Sequence, residues 1–105
     1  MEQPNLNYIN DLAGDDEAFR AKLVGVIKSE LPGEIAEYQL AITDNNFNKA
    51  VGHVHKLKHK ISVMGMEESY YLAEKFEDQL KECHTGLAAD FNQVLTLMQN
   101  FAAAL

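Results

Sequence analysis

The sequence contains one cysteine, no tryptophan and only two prolines in 105 residues. A single cysteine, Cys83, cannot form a disulfide within the chain, which excludes a disulfide-stabilised scaffold and fits a reducing compartment. The longest apolar runs fall far short of the ~20 residues of a membrane-spanning helix. The opening residues, MEQPNLNY, lack the basic and apolar segments of a signal peptide. We therefore expect a soluble, cytoplasmic protein without a membrane segment.

Positive charge is also scarce. The chain has 9 Lys and Arg residues against 16 Asp and Glu residues, which gives a formal net charge of -7. Binding to nucleic acid or to anionic lipid requires a basic surface, so the composition argues against both partners. The hydrophobic content of 47% is that of a folded protein. The length predicts a single domain over residues 1–105, and we expect a monomer.

One window reverses this charge balance. Residues 47–66, FNKAVGHVHKLKHKISVMGM, contain no Asp or Glu. Apolar residues recur in the window at helical spacing, which predicts a helix with one buried side and one basic, histidine-bearing side. The basic residues and histidines of the window are Lys49, His53, His55, Lys56, Lys58, His59 and Lys60.

The rest of the chain is also helical in pattern. A short first helix is predicted to end at Gly14, and Asp15 and Asp16 are predicted to be an N-cap pair for the next helix. Pro32-Gly33 predicts a kink or break in that second helix. Gly65 is predicted to end the helix of the basic window.

No segment has the alternation of a β-strand. The third long helix begins near Glu67; its buried side includes Cys83, and its acidic residues are interpreted as a solvated face. A last helix follows Gly86. We therefore expect an all-α fold, an antiparallel up-down four-helix bundle with a short N-terminal capping helix.

His55 is the candidate functional residue. At 100° per residue it falls about 120° from the centre of the apolar stripe, so it is predicted to face solvent. Lys58 and His59 are its neighbours at i+3 and i+4, Gly52 lies at i-3 and Ser62 at i+7. Neutral imidazole is abundant near pH 7 and is a nucleophile toward phosphorus. Lys58 is placed to balance the charge of a phosphoryl group.

Other chemistry is less well supported. His55 and His59 also have the i,i+4 spacing of a metal-ligand pair, but the window has no carboxylate to complete a ligand set, and its lysines repel a cation. The adjacent residues Cys83 and His84 are compatible with thiol chemistry, but a cysteine on the buried side of a helix acts as a small apolar residue. Neither a metal nor another cofactor is expected.

The window also resembles a known family. His55-Lys56-Leu57-Lys58, with Gly65 ten residues after the histidine, resembles the histidine-containing phosphotransfer (HPt) domain of bacterial phosphorelays. Residues 7–19, NYINDLAGDDEAF, are similar to the opening helix and acidic turn of that family, and residues 66–80 to its next helix. The resemblance covers nearly the whole chain.

The resemblance implies a function. His55 would be the phosphorylated histidine and Lys58 would stabilise its phosphate. The domain would take the phosphoryl group from the aspartate of one receiver domain and hand it to another, as the partner of receivers and, through them, of a hybrid histidine kinase. Such domains do not autophosphorylate with ATP, and the receiver would supply the metal. Gly52, His59, Ser62 and Met66 would belong to the docking surface.

The chain departs from the family pattern at His59 and Lys60, where the family usually has small residues. His59 is expected to crowd the approach to His55, to donate a hydrogen bond to the phosphate, or to select partners. The same two residues favour an alternative function, a binding module that holds a receiver or a kinase without phosphotransfer. A purely structural bundle is the third possibility.

Overall fold

A computed structural model describes residues 2–105 of the chain. In this range the chain forms five helices and no strand, so the predicted all-α class is confirmed. Also in this range, no helix has both the length and the apolar character needed to cross a membrane. The helices are α1 (Asn7–Ala13), α2 (Glu17–Thr43), α3 (Phe47–Val63), α4 (Glu67–Lys81) and α5 (Ala88–Ala103).

The helix ends follow local signals in the sequence. The Asp16 carboxylate accepts a hydrogen bond of 2.9 Å from the N–H of Phe19, and so caps α2 as predicted. Asn46 caps α3 in the same way, accepting from the N–H of Lys49 at 3.2 Å. Gly65 follows α3 with φ +75°, a left-handed backbone conformation that residues other than glycine rarely adopt. The predicted end of α3 is therefore confirmed.

The predicted interruption at Pro32-Gly33 does not end a helix. α2 runs through Pro32 without a break, over 27 residues. Proline in a helix interior removes one backbone hydrogen bond. Leu31 and Ile35, on either side of it, are 0% and 1% exposed, whereas Pro32 itself is exposed. Burial of the flanking apolar side chains holds the helix together across the missing bond.

The four long helices enclose one core. α3 packs against α2 and α4, α5 packs against the same two helices, and α1 lies on α2. Three aromatic rings fill the centre, and those of Tyr38 and Phe76 each lie 5.2 Å from the ring of Phe91. The Tyr38 hydroxyl donates a 3.3 Å hydrogen bond to Asn92 Oδ1, and burial raises the pKa of Tyr38 to about 12.

The N-terminal segment fastens the turn between α3 and α4. The N–H of Asn5 donates to the carbonyl of Met64 at 2.9 Å. The Glu2 carboxylate accepts hydrogen bonds from the N–H groups of Glu68 and Ser69, at 3.2 and 2.6 Å. These N–H groups belong to the first turn of α4, where the helix itself offers them no acceptor. The segment therefore fixes the end of the histidine-bearing helix.

The prediction that Cys83 is buried on α4 is wrong. The helix ends at Lys81, and Leu80 is its last buried residue. Cys83 lies in the following turn with φ +62° and is exposed. The left-handed backbone turns the chain away from the α4 axis, so the helical spacing that placed Cys83 on the buried side no longer applies.

Candidate functional site

α3 presents His55 to solvent, as the helical spacing predicts. Val54 and Leu57, beside it in sequence, are both 0% exposed, whereas the His55 side chain is 55% exposed. The helix therefore buries its apolar stripe and leaves one side of the imidazole open to a partner. The other fully buried residues of the stripe are Ala50 and Ile61.

A carboxylate from the neighbouring helix holds the imidazole. His55 Nδ1 lies 3.2 Å from Oε1 of Glu77 on α4, and Lys58 Nζ lies 3.3 Å from the same oxygen. The Glu77 side chain is 11% exposed and that of Lys58 is 10% exposed. A buried carboxylate thus joins the exposed imidazole to a buried ammonium group, and charge-assisted hydrogen bonds of this kind are the strong ones.

The sequence pattern does not predict this role of Glu77. The prediction that the acidic residues of α4 form a solvated face is wrong for Glu77, since it is 8% exposed. The position of Glu77 in the sequence does indicate partial burial. It lies four residues after Ala73 and three before Leu80, both of which are buried in the core. A carboxylate at such a position on a buried stripe needs a cationic partner.

The contact with Glu77 favours one tautomer of the His55 ring. An ionised carboxylate has no hydrogen to donate, so the hydrogen between Glu77 and His55 belongs to Nδ1. The lone pair of the neutral ring is then on Nε2. A ring held in this way is able to act as a nucleophile through Nε2.

Lys58 lies one helical turn after His55, and its side chain is buried. Its ammonium group lies inside the α3–α4 interface. It bonds to Glu77 and lies 5.4 Å from the centroid of the Tyr70 ring, within cation–π distance. Because Lys58 and His55 share one acceptor oxygen, the ammonium still lies close to the imidazole.

Three of the four predicted docking residues surround His55 on the surface. Gly52, His59 and Ser62 are exposed, and a Cβ on Gly52 would meet open space. The rings of His55 and His59 are 4.9 Å apart and nearly perpendicular. The prediction that Met66 belongs to this surface is wrong, because it is 0% exposed: it caps α4 and packs in the core.

Two other basic side chains of α3, those of Lys60 and His53, belong to other contacts. Lys60 Nζ bonds to Glu34 at 2.8 Å and to Glu30 at 2.9 Å. Burial lowers the pKa of Lys60, but the hydrogen bonds to Glu34 and Glu30 outweigh this effect and the pKa is raised overall. Two carboxylates thus neutralise the charge of Lys60. His53 lies on the flank of α3 that faces α2, 3.7 Å from Glu37.

Metal-ligating side chains do not cluster at this site. Across residues 2–105, no three His, Cys, Asp or Glu side chains come together in a group able to hold a metal ion.

The fold and the site define an all-helical protein with one exposed histidine whose ring is oriented by a buried carboxylate. A sequence model of the family described as Hpt domain matches residues 22–104. The match spans most of the chain, so the chain belongs to the Hpt domain family, whose domains carry phosphoryl groups on histidine in phosphorelays. None of the curated proteins and none of the solved structures compared with the chain gave a significant match.

Proposed function

We propose that this chain is a phosphorelay carrier that takes a phosphoryl group onto His55 from the aspartate of one receiver domain and hands it to the aspartate of another. The hydrogen bond between His55 Nδ1 and Glu77 Oε1, on a side chain that is 55% exposed, carries the proposal. It favours Nε2 as the nucleophile and leaves that atom open to a partner. A hybrid histidine kinase, through its receiver, is the proposed upstream source.

The transfer step balances without a further reactant. The Nε2 lone pair attacks the phosphorus of the receiver's aspartyl phosphate. The N–P bond forms while the P–O bond to the aspartyl oxygen breaks, and the aspartate leaves with that electron pair as a carboxylate. The hydrogen on Nδ1 stays in place, so the ring becomes an N-phosphoryl imidazolium. Transfer to the second receiver is the same step in reverse.

Glu77 and Lys58 have linked roles in this scheme. The phosphorylated ring carries a positive charge, and the Glu77 carboxylate at 3.2 Å balances it. Lys58, at 3.3 Å from the same oxygen, holds the carboxylate in place. The ammonium group also lies close enough to favour the negative charge of the phosphoryl group. Lys58 therefore stabilises the phosphate through its place beneath the imidazole.

The surface around His55 is the proposed docking site for the receiver. Gly52 leaves open space one turn before His55, and Ser62 is a small exposed residue two turns after it. A receiver has to bring its aspartate in line with Nε2, which requires such clearance. We propose a similar role for His59, which borders the imidazole at 4.9 Å.

The packing of the long helices supports a finer description of the fold. The cyclic arrangement of α2, α3, α4 and α5 favours an antiparallel up-down four-helix bundle with α1 as a cap. We infer that residues 1–105 form one domain that acts as a cytoplasmic monomer. It would act as a carrier and have no autokinase activity.

The test is incubation with phosphorylated receivers from the same genome, followed by mapping of phosphohistidine by mass spectrometry. We expect an acid-labile, base-stable phosphate on His55, its loss in His55→Gln, and no label from ATP alone. His53→Gln is the matched control, because His53 lies on the other flank of α3, and it should be labelled normally. Label retained in His55→Gln would contradict the site. Receiver binding without any label would instead favour a docking module.

A further inference from the structure

The cation expected to meet the phosphoryl group is already engaged. Lys58 is 8% exposed and its ammonium group is held between Glu77, at 3.3 Å, and the Tyr70 ring, at 5.4 Å. To reach oxygens on the far side of the imidazole it would have to leave a buried carboxylate, which costs more than an exposed contact returns. The outward-facing phosphoryl oxygens therefore need another donor.

Other cations of α3 are poorly placed for this role. Lys60 is neutralised by Glu30 and Glu34. His53 lies on the flank of α3 that faces Glu37. Lys56 lines the open groove between α2 and α3, together with Glu37 and His53.

His59 is different on each count. It is exposed, it lies one helical turn after His55, and its ring meets that of His55 at 4.9 Å and 86°. Its ring nitrogens form no hydrogen bond or ion pair with any side chain or backbone group of residues 2–105. A phosphoryl group on His55 would add its oxygens on the exposed side of α3, which His59 shares.

We propose that His59 is a second phosphate-binding residue: when His55 carries a phosphoryl group, the His59 imidazolium donates an N–H hydrogen bond to a phosphoryl oxygen. The inference rests on the proposed phosphorylation of His55. It assigns to His59 a direct contact with the transferred group, where the family usually has a small residue. The bond exists only in the phosphorylated state, so it shifts the transfer equilibrium toward the phosphorylated carrier.

The proposed bond should be stronger at low pH. Imidazole is the side chain that changes charge between pH 5 and pH 8, and a cationic donor binds a phosphoryl oxygen more strongly than a neutral one. The phosphoryl group also titrates near pH 6. This titration is common to all variants, so the ratio of the transfer equilibrium constants of two variants cancels its effect. The other ionisable groups around this face are His55 and Lys58 on α3, Glu77 and Tyr70 on α4, and Lys60 of α3 with Glu30 and Glu34 of α2.

The experiment measures the equilibrium of phosphotransfer from one phosphorylated receiver to the parent chain and, separately, to its His59→Gln variant. Both are measured at pH 6 and pH 8. We expect the variant to be phosphorylated about threefold to tenfold less favourably at pH 6, as for one charge-assisted hydrogen bond at an exposed site. The difference should shrink at pH 8. His59→Lys, which keeps a cation, should restore the equilibrium at both pH values. His53→Gln is the matched control and should leave the equilibrium unchanged.

A ring readout separates phosphate binding from a structural role. In the 15N spectrum of labelled histidine, phosphorylation of His55 should shift the resonances of the His59 ring nitrogens, because one of them then donates a hydrogen bond to a phosphoryl oxygen. An equal equilibrium for the parent chain and His59→Gln at pH 6, or His59 nitrogens unchanged by phosphorylation, would overturn the inference. Failure of the proposed function gives a different result, since then the parent chain itself takes up no phosphate.

Discussion

His55 and Glu77 lie 22 residues apart in the sequence and are joined by one hydrogen bond, 3.2 Å from Nδ1 to Oε1, across the α3–α4 interface. The bond connects an exposed imidazole with a carboxylate that is almost fully buried. It therefore couples the chemistry on the surface of the protein to the packing of its interior. Substitutions at this contact are expected to change both phosphotransfer and stability.

Glu77→Ala should slow phosphotransfer to His55 by about 10-fold to 100-fold. The substitution removes the acceptor that orients the ring and balances its charge, an interaction of about 1.5–3 kcal/mol for a hydrogen bond to a charged group. The rate of label transfer from a phosphorylated receiver measures the effect. The matched control is Asp78→Asn, since Asp78 is an 81% exposed acid on the same helix. An unchanged rate in Glu77→Ala would show that the hydrogen bond has no part in the transfer.

Lys58→Met should destabilise the protein by about 2–3 kcal/mol, because it leaves the Glu77 carboxylate without its ammonium partner at an 11% exposed position. Urea denaturation measures the loss. The double variant Lys58→Met with Glu77→Gln should recover part of it, since the orphaned charge is then gone. Strictly additive losses in the double variant would contradict a coupled pair.

Gly65→Ala should destabilise the protein by about 1–2 kcal/mol or more, because Gly65 has φ +75°. A Cβ there would also come within 2.6 Å of the Asn5 side-chain amide. Gly25→Ala is the matched control: Gly25 lies inside α2, and a Cβ there would have no neighbour within 4 Å. It should stabilise by up to ~1 kcal/mol. Thermal unfolding compares the two, and effects of the same sign would argue against the left-handed turn.

Gly52→Leu should leave the fold intact while it slows transfer from the receiver. A Cβ at Gly52 meets open space, so the protein itself accommodates the side chain, whereas a partner at the docking surface has to avoid it. Labelling by phosphoramidate, a small phosphoryl donor, should proceed normally, which distinguishes lost docking from lost chemistry. A receiver that transfers equally well to Gly52→Leu would place the docking surface elsewhere.

Ionisation of Tyr38 should lower the free energy of unfolding by about 2–3 kcal/mol between pH 10 and pH 12. Burial raises the pKa of Tyr38 from 10.0 to about 12. The unfolded chain loses this proton first as pH rises, so the stabilisation is complete below pH 10 and is lost toward pH 12. Tyr38→Phe, compared with the parent chain by urea denaturation across this range, should lack this part of the decline. Equal slopes in the two proteins would contradict the prediction.

The local features of the fold were predictable from the sequence because they depend on neighbouring residues. Asp16 caps α2, Gly65 ends α3, and the apolar stripe of α3 is buried, as capping chemistry and helical spacing indicate. The errors lie at helix boundaries. α2 continues through Pro32 without a break because the flanking residues are buried, and Cys83 leaves the buried side because α4 ends at Lys81 and the chain turns through a left-handed residue.

The sequence by itself determined that α3 is amphipathic and that His55 points to solvent, since both follow from the 3.6-residue period of one helix. Only the tertiary structure decided which side chains meet the imidazole. Packing of α4 on α3 places Glu77 against His55 and Lys58 and encloses Met66, and no pattern within α3 encodes that register. A contact between residues 22 positions apart depends on how two helices pack, and therefore on the whole core at once.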